Sequence, residues 1–169
     1  MGAPEPAGWA TGSWLQDQLV RGHRGDPWHG WSVARILEGV HAAGAAARPL
    51  HGAHSIWEIV LHMTGWTREA ARRLEGGSPA EPADGDWPGV GDPTPERWIA
   101  ALDDLGRAHA ELERALAALP EADWHQPPSA PRDPSIGTGV TPAQLVNGVV
   151  QHDAYHAGQI ALLKKGLQR

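Results

Sequence analysis

The sequence predicts an all-α protein, a four-helix bundle running up-down-down-up. Three observations predict it. Three stretches open with helix-capping signatures followed by apolar residues at helical spacing. No segment shows the β-branched, period-2 alternation of strands. The stretch between the second and third helical units, 76–93, is long, acidic and rich in Pro and Gly. An extended chain gains about 3.3 Å per residue. The stretch can therefore run back along a 20-residue helix, about 30 Å, as a crossover between parallel neighbours.

The N-terminal unit is the least regular. "SWLQDQLVRGH" (13–23) places Trp14, Leu15 and Leu19 on one side, and "DPWHG" breaks the pattern. "WSVARILEGVHAA" (31–43) resumes it through Val33, Ile36, Leu37 and Val40, so the unit reads as one broken helix. Ser55-Ile56-Trp57-Glu58 is a capping box that opens a helix of roughly 55–75, ended by Gly76-Gly77. Thr94-Pro95-Glu96 gives a hydroxyl at N-cap, Pro at N1 and an acid in the first turn of 94–118. Thr141-Pro142-Ala143-Gln144 combines Pro at N1 with Gln at N3, and opens 141–166. The short "AARPLHGAH" connection before Ser55 suits antiparallel neighbours, and the second long loop, 120–140, can close over one end.

The length of 169 residues fits one domain, taken as 1–169 with 1–12 flexible. A net charge of −6 and the absence of any basic run give no support for a nucleic-acid partner. No apolar run approaches 18 residues, so no membrane span is expected. The opening "MGAPEPAGWATGS" lacks a basic n-region and an apolar h-region, and Pro6 stands where N-myristoylation wants Ser or Thr. A cytoplasmic protein is the expectation. There is no cysteine, which removes disulfides, thiolate metal sites and a Cys nucleophile. Nine Trp without any Phe, and Ala, Gly and Pro in excess over Lys, are read as base composition of the coding sequence.

Ten histidines need a position-by-position reading. In 141–166, Leu145, Val149, His152, His156 and Leu163 follow steps of three, four and seven, flanked by Gln159 and Ile160. His152 and His156 therefore share the face of the buried aliphatics. Imidazoles at i, i+4 can chelate one ion, and without a partner each carries a desolvation cost. In 55–75 the stripe Ile59, His62, Met63, Trp66 places His62 on a core face as well. Three imidazoles with open water positions suit a catalytic divalent ion. His152-Asp153-Ala154-Tyr155-His156 is one carbon short of H-E-x-x-H. Nothing in "AGQIALLKKGLQR" after it is His, Asp or Glu, so the third ligand must lie upstream, which favours a bundle site over a protease helix.

Asp153 is expected to turn away from the stripe as a solvated or outer-sphere carboxylate. His54 is read as an exposed loop residue, with a place at the bundle mouth as the lesser alternative. His29, between Trp28 and Trp31 in a packed corner, is a weaker candidate for the site. His23, His41, His51, His109 and His125 are assigned to surface or loop, and Tyr155 to the core or an interface.

"WHGWSVARILEGV", "AGAAARPLHGAHSIWEIVLHMTGW" and "VVQHDAYHAGQIALLKK" together resemble the DinB superfamily, including its YfiT-like members, over about residues 13–166. The resemblance implies an up-down-down-up four-helix bundle and a three-His divalent metal site, carried over to His62, His152 and His156. It also implies chemistry of two kinds. Some members are transferases and isomerases that use low-molecular-weight thiols such as bacillithiol or mycothiol, and others carry only a hydrolase designation.

The leading expectation is thus a metal-dependent enzyme acting on a small molecule. Zn²⁺ or Ni²⁺ is held by His62, His152 and His156, with water or a low-molecular-weight thiol cosubstrate as nucleophile. Gln159, one turn past His156, can orient a ligand, and Asp153 and His29 are further catalytic candidates. The 76–93 and 127–134 loops can line the pocket mouth. A non-catalytic metal-binding or sensing bundle predicts a fourth protein ligand. A metal-free core of hydrogen-bonded histidines predicts that His156→Leu is neutral or stabilising. Gly148 and Gly158 permit close helix approach, in a homodimer or within the chain.

Overall fold

The computed structural model describes residues 11–128 and 130–167. The readings of the first residues (no leader, no acylation, a flexible 1–12) concern residues outside these, apart from Thr11 and Gly12, which open the first helix. In chain order the helices are α1 (Thr11–Arg24), α2 (Val33–Leu37), α3 (Ala42–Ala46), α4 (Ile56–Leu74), α5 (Pro95–Ala118), a 3₁₀ turn (Glu121–Asp123) and α6 (Pro142–Gly166). Among the described residues there is no strand, and four of the six α-helices are long. No helix among them is long and apolar enough to cross a membrane.

The three capping signatures act as read. Ser55 Oγ accepts from the Glu58 amide at 3.2 Å while the Glu58 carboxylate accepts from the Ser55 amide at 2.7 Å. Thr141 and Gln144 make the same reciprocal pair at 3.2 and 2.9 Å. Thr94 Oγ1 accepts from the Arg97 amide at 3.3 Å. Each bond satisfies an amide that the first helical turn leaves without a partner.

The 31–43 stretch departs from the expected single helical piece. It divides into α2 and α3 around Gly39, whose φ of 72° ends the helix in the left-handed region. The carbonyls released by the break are taken up from elsewhere. Lys164 Nζ donates to Ile36 O at 2.9 Å and to Glu38 O, and Trp98 Nε1 donates to Val40 O at 2.7 Å. A helix break in the core is tolerable only when such groups are satisfied.

The long helices meet at both ends. Near the starts of α4 and α5, the Trp57 and Trp98 rings lie 5.1 Å apart. Further along, Arg68 is bidentate to Asp104 at 2.7 and 2.8 Å. The start of α4 (Ile56, Ile59) shares a core block with the end of α6 (Ile160, Leu163). The end of α4 (Ala70, Ala71) shares a second block with Val146 and Val149 of early α6. At the beginning of α1, Gly12 lies so close to the buried Trp124 that a Cβ would come within 2.8 Å of its indole nitrogen. At its end, Arg24 pairs with Glu113 of α5.

The apolar core thus comes in two blocks. In the interval between them, buried polar side chains replace aliphatics on every long helix: His62, Thr64 and Thr67 on α4, His109 on α5, Asp153 and His156 on α6, with His23 near the end of α1. This polar tier holds the candidate site.

Candidate metal centre

α4 presents His62 and α6 presents His152 and His156 to one point. His152 Nε2 lies 2.9 Å from His62 Nε2 and 3.1 Å from His156 Nε2. The three ligating atoms all fall within 4.8 Å of one another, and among the described residues no fourth His, Asp or Glu joins the group.

The outward nitrogens decide which atoms are free to ligate. His62 Nδ1 is 2.7 Å from the Asp86 carbonyl oxygen and 3.1 Å from Asp86 Oδ1. His156 Nδ1 is 2.6 Å from Gln159 Oε1. These oxygens accept only, so both Nδ1 atoms carry the ring proton and both Nε2 atoms present lone pairs. His152 can donate a proton to one of those lone pairs at most, which leaves at least one lone pair without a donor among the three rings. A single cation at the centre satisfies all three, so the donor set fits a divalent ion. Nδ1 donating to an oxygen while Nε2 ligates is the usual arrangement of metal-binding histidines. Burial, followed by the neighbouring His156 and His62, pushes His152 down to about 3. Burial also lowers His156, against the opposing bond from Gln159. Both are therefore neutral at pH 7, the form that binds metal.

The 76–93 loop completes the site. Trp87 stacks on His62 at 4.0 Å with the rings 5° from parallel, and His54 stacks on the other face of Trp87 at 3.6 Å. Trp66 Nε1 donates to Asp86 Oδ1 at 2.7 Å. The triad opens into a cavity of about 440 Å³ walled by Trp66, Trp87, Ile136, Leu145, Val149 and Tyr155. A larger cavity of about 810 Å³, between α4, α5 and the same loop, contains none of the three histidines.

Gln159 sits at the site as expected, bonded to His156. The loop expectation holds for 76–93, whereas among its described residues 127–134 reaches the cavity only at Pro134. Asp86 and Trp87 were not singled out by the sequence, since an acid and a Trp in an unpatterned loop carry no spacing signal. Asp153 is neither solvated nor near the triad. It is 1% exposed and points into the bundle, with Oδ2 3.4 Å from His109 Nε2. Being one residue past His152, it is turned about 100° around the helix. His109 and His23 are likewise buried, not surface residues, and their rings stack at 3.7 Å. His29 does not reach the site. It lines a separate groove with Trp31, Ala154 and Gly158, and the expected packed corner is exposed, Trp28 fully so. Tyr155 is 65% exposed at the cavity mouth, not in the core, its ring edge-on to His156 at 5.0 Å. His41, His51 and His125 are exposed, as read.

The family model of the DinB superfamily matches residues 32–160. No curated protein and no solved structure matches the chain.

Proposed function

The chain belongs to the DinB superfamily, and from that premise we propose that it is a divalent-metal-dependent enzyme in which His62, His152 and His156 hold Zn²⁺ or Ni²⁺. The observation that carries the reading is the convergence of three Nε2 atoms whose outward partners, Asp86 and Gln159, fix two of the rings as ligands. The ion would supply Lewis acidity, making water or a low-molecular-weight thiol nucleophilic at neutral pH. The chain's own residues do the rest. Asp86 and Gln159 hold the rings in register, Trp87 covers His62, and the cavity walls exclude water from all but the open side. Hydrolysis and S-transfer are the two reactions this arrangement serves.

The end-to-end pairings of α4 with α5, and the start-to-end pairings of α4 with α6, support reading the four long helices as an up-down-down-up bundle. In that reading 76–93 is the crossover. A homodimer is the assembly we propose. Trp28, Trp31, Tyr155 and Leu162 are exposed. A Cβ at Gly148 or Gly158 would meet nothing within 4 Å, so packing within the chain leaves these two positions open. A non-catalytic metal-binding bundle is the alternative, and the three-ligand group, lacking a fourth, favours catalysis over it.

The test is elemental analysis of untagged protein beside the His152→Ala/His156→Ala variant. About one divalent ion per chain, lost in the variant, is expected. A chain that holds no metal as purified and takes up neither zinc nor nickel overturns the reading.

A further inference from the structure

The walls of the metal cavity point to what enters it, on the premise that the triad is the reactive centre. Besides the histidines, three charged side chains line the cavity: Glu69, Arg73 and Asp86. Each is already committed. Glu69 is buried, and its oxygens accept from Arg72 and Arg73 at 2.8 Å and from the Ala80 amide at 2.7 Å. Burial alone would raise it, but these bonds outweigh burial and hold it below the usual range, so it is ionised. The other guanidinium nitrogens of Arg73 donate to Gly137 O at 3.2 Å and Ala80 O at 3.0 Å. Asp86 is bonded to Trp66 and His62. No lysine lines the cavity. Among the described residues that line the cavity, an anionic ligand would find no uncommitted cation and two carboxylates nearby, and desolvating its charge would go uncompensated.

One polar group does remain without a partner. Thr67 is 1% exposed and lines the cavity, and its Oγ1 makes no hydrogen bond. A buried hydroxyl in that state costs stability until something bonds to it. The remaining walls are aromatic and aliphatic, and a cavity of about 440 Å³ is of small-ligand size.

We propose that this cavity takes a small, uncharged, mainly apolar molecule bearing one carbonyl or hydroxyl for Thr67, and that its walls discriminate against carboxylates and phosphates. A thiol used here as cosubstrate would then be one without an anionic group near its sulfur.

The test uses the full chain, as purified and after removal of metal by a chelator. Trp66 and Trp87 in the walls make tryptophan fluorescence the readout. In the metal-free chain, where the walls alone discriminate, benzamide is expected to bind at least tenfold more tightly than benzoate or phenyl phosphate. Ile136→Arg, on a half-buried loop position, should reverse that order by placing a cation in the wall. Thr67→Val should weaken benzamide severalfold and leave toluene unchanged. Benzoate binding as tightly as benzamide in the unmodified chain, or no benzamide binding at all, overturns the proposal. Zinc stoichiometry on the same preparation separates the two readings. A chain that binds zinc but not benzamide keeps the metal site and loses this proposal, and one that binds benzamide but never zinc does the reverse.

Discussion

His152 stands between two lone pairs and can donate to only one, so the three rings alone leave a lone pair without a partner, which a cation among them would satisfy. Gln159 fixes the orientation of His156 from the far side. Gln159→Leu is therefore expected to weaken zinc binding by about 10–100-fold, measured by competition with a chromophoric chelator, while far-ultraviolet circular dichroism stays unchanged. If the histidines were only core residues, His156→Leu would be neutral or stabilising in a urea titration and metal content would not change. The His23–His109 pair makes an independent prediction. Burial pushes His23 down to about 4 and His109 to about 2. Their folded values lie below the unfolded value, so their neutral burial contributes stability above pH 6.5 that is lost as pH falls. Each by itself removes about 2 kcal/mol between pH 6.5 and 5, and Asp153 beside His109, which burial pushes up to about 8, opposes part of that loss because it holds its proton in the folded chain. Urea titrations at the two pH values check this, and His23→Gln should flatten the dependence.

At the level of elements, the caps and the 76–93 loop do different work. The Ser55 cap sets where α4 begins, and with it the register that turns His62 inward. Ser55→Ala is expected to cost about 1 kcal/mol, read from the urea midpoint. The loop contributes little to the two core blocks but holds His62 on two sides, through Asp86 and through the stack of Trp87 between His54 and His62. Trp87→Ala should leave the melting temperature within a few degrees of the parent and lower zinc affinity by about tenfold. Equal losses of both would mean that the loop is structural.

Across the whole molecule, the division of the core into two apolar blocks by a polar tier explains how a small helical protein can bury seven histidine, aspartate and threonine side chains between helices. Aliphatic packing above and below supplies the stability, and on one side the tier holds the candidate metal centre. On the other side of α6, the Asp153 carboxylate oxygens, both His109 ring nitrogens and His23 Nδ1 sit without hydrogen-bond partners, a cost that the packed blocks must offset. The exposed Trp28, Trp31, Tyr155 and Leu162 belong to this scale too. Light scattering on the eluted protein should give twice the chain mass if the proposed pairing holds, and Leu162→Asp should return it to the monomer.

The sequence by itself determined the long helices and the three histidines of the candidate site, because caps and the 3.6-residue repeat are local signals and each histidine lies in phase with its own aliphatic stripe. It also determined that a third ligand had to come from upstream of α6. It misplaced His109 and His23 and missed the burial of Asp153, since which sector of a helix is buried depends on how many neighbours pack around it, and a stripe counts only the first. The loop partners of the site were decided by tertiary structure alone. Asp86 and Trp87 gain their roles from where the 76–93 segment lands on α4, and the helix break at Gly39 is tolerated because Lys164 and Trp98, far along the chain, donate hydrogen bonds to the carbonyls that the break sets free.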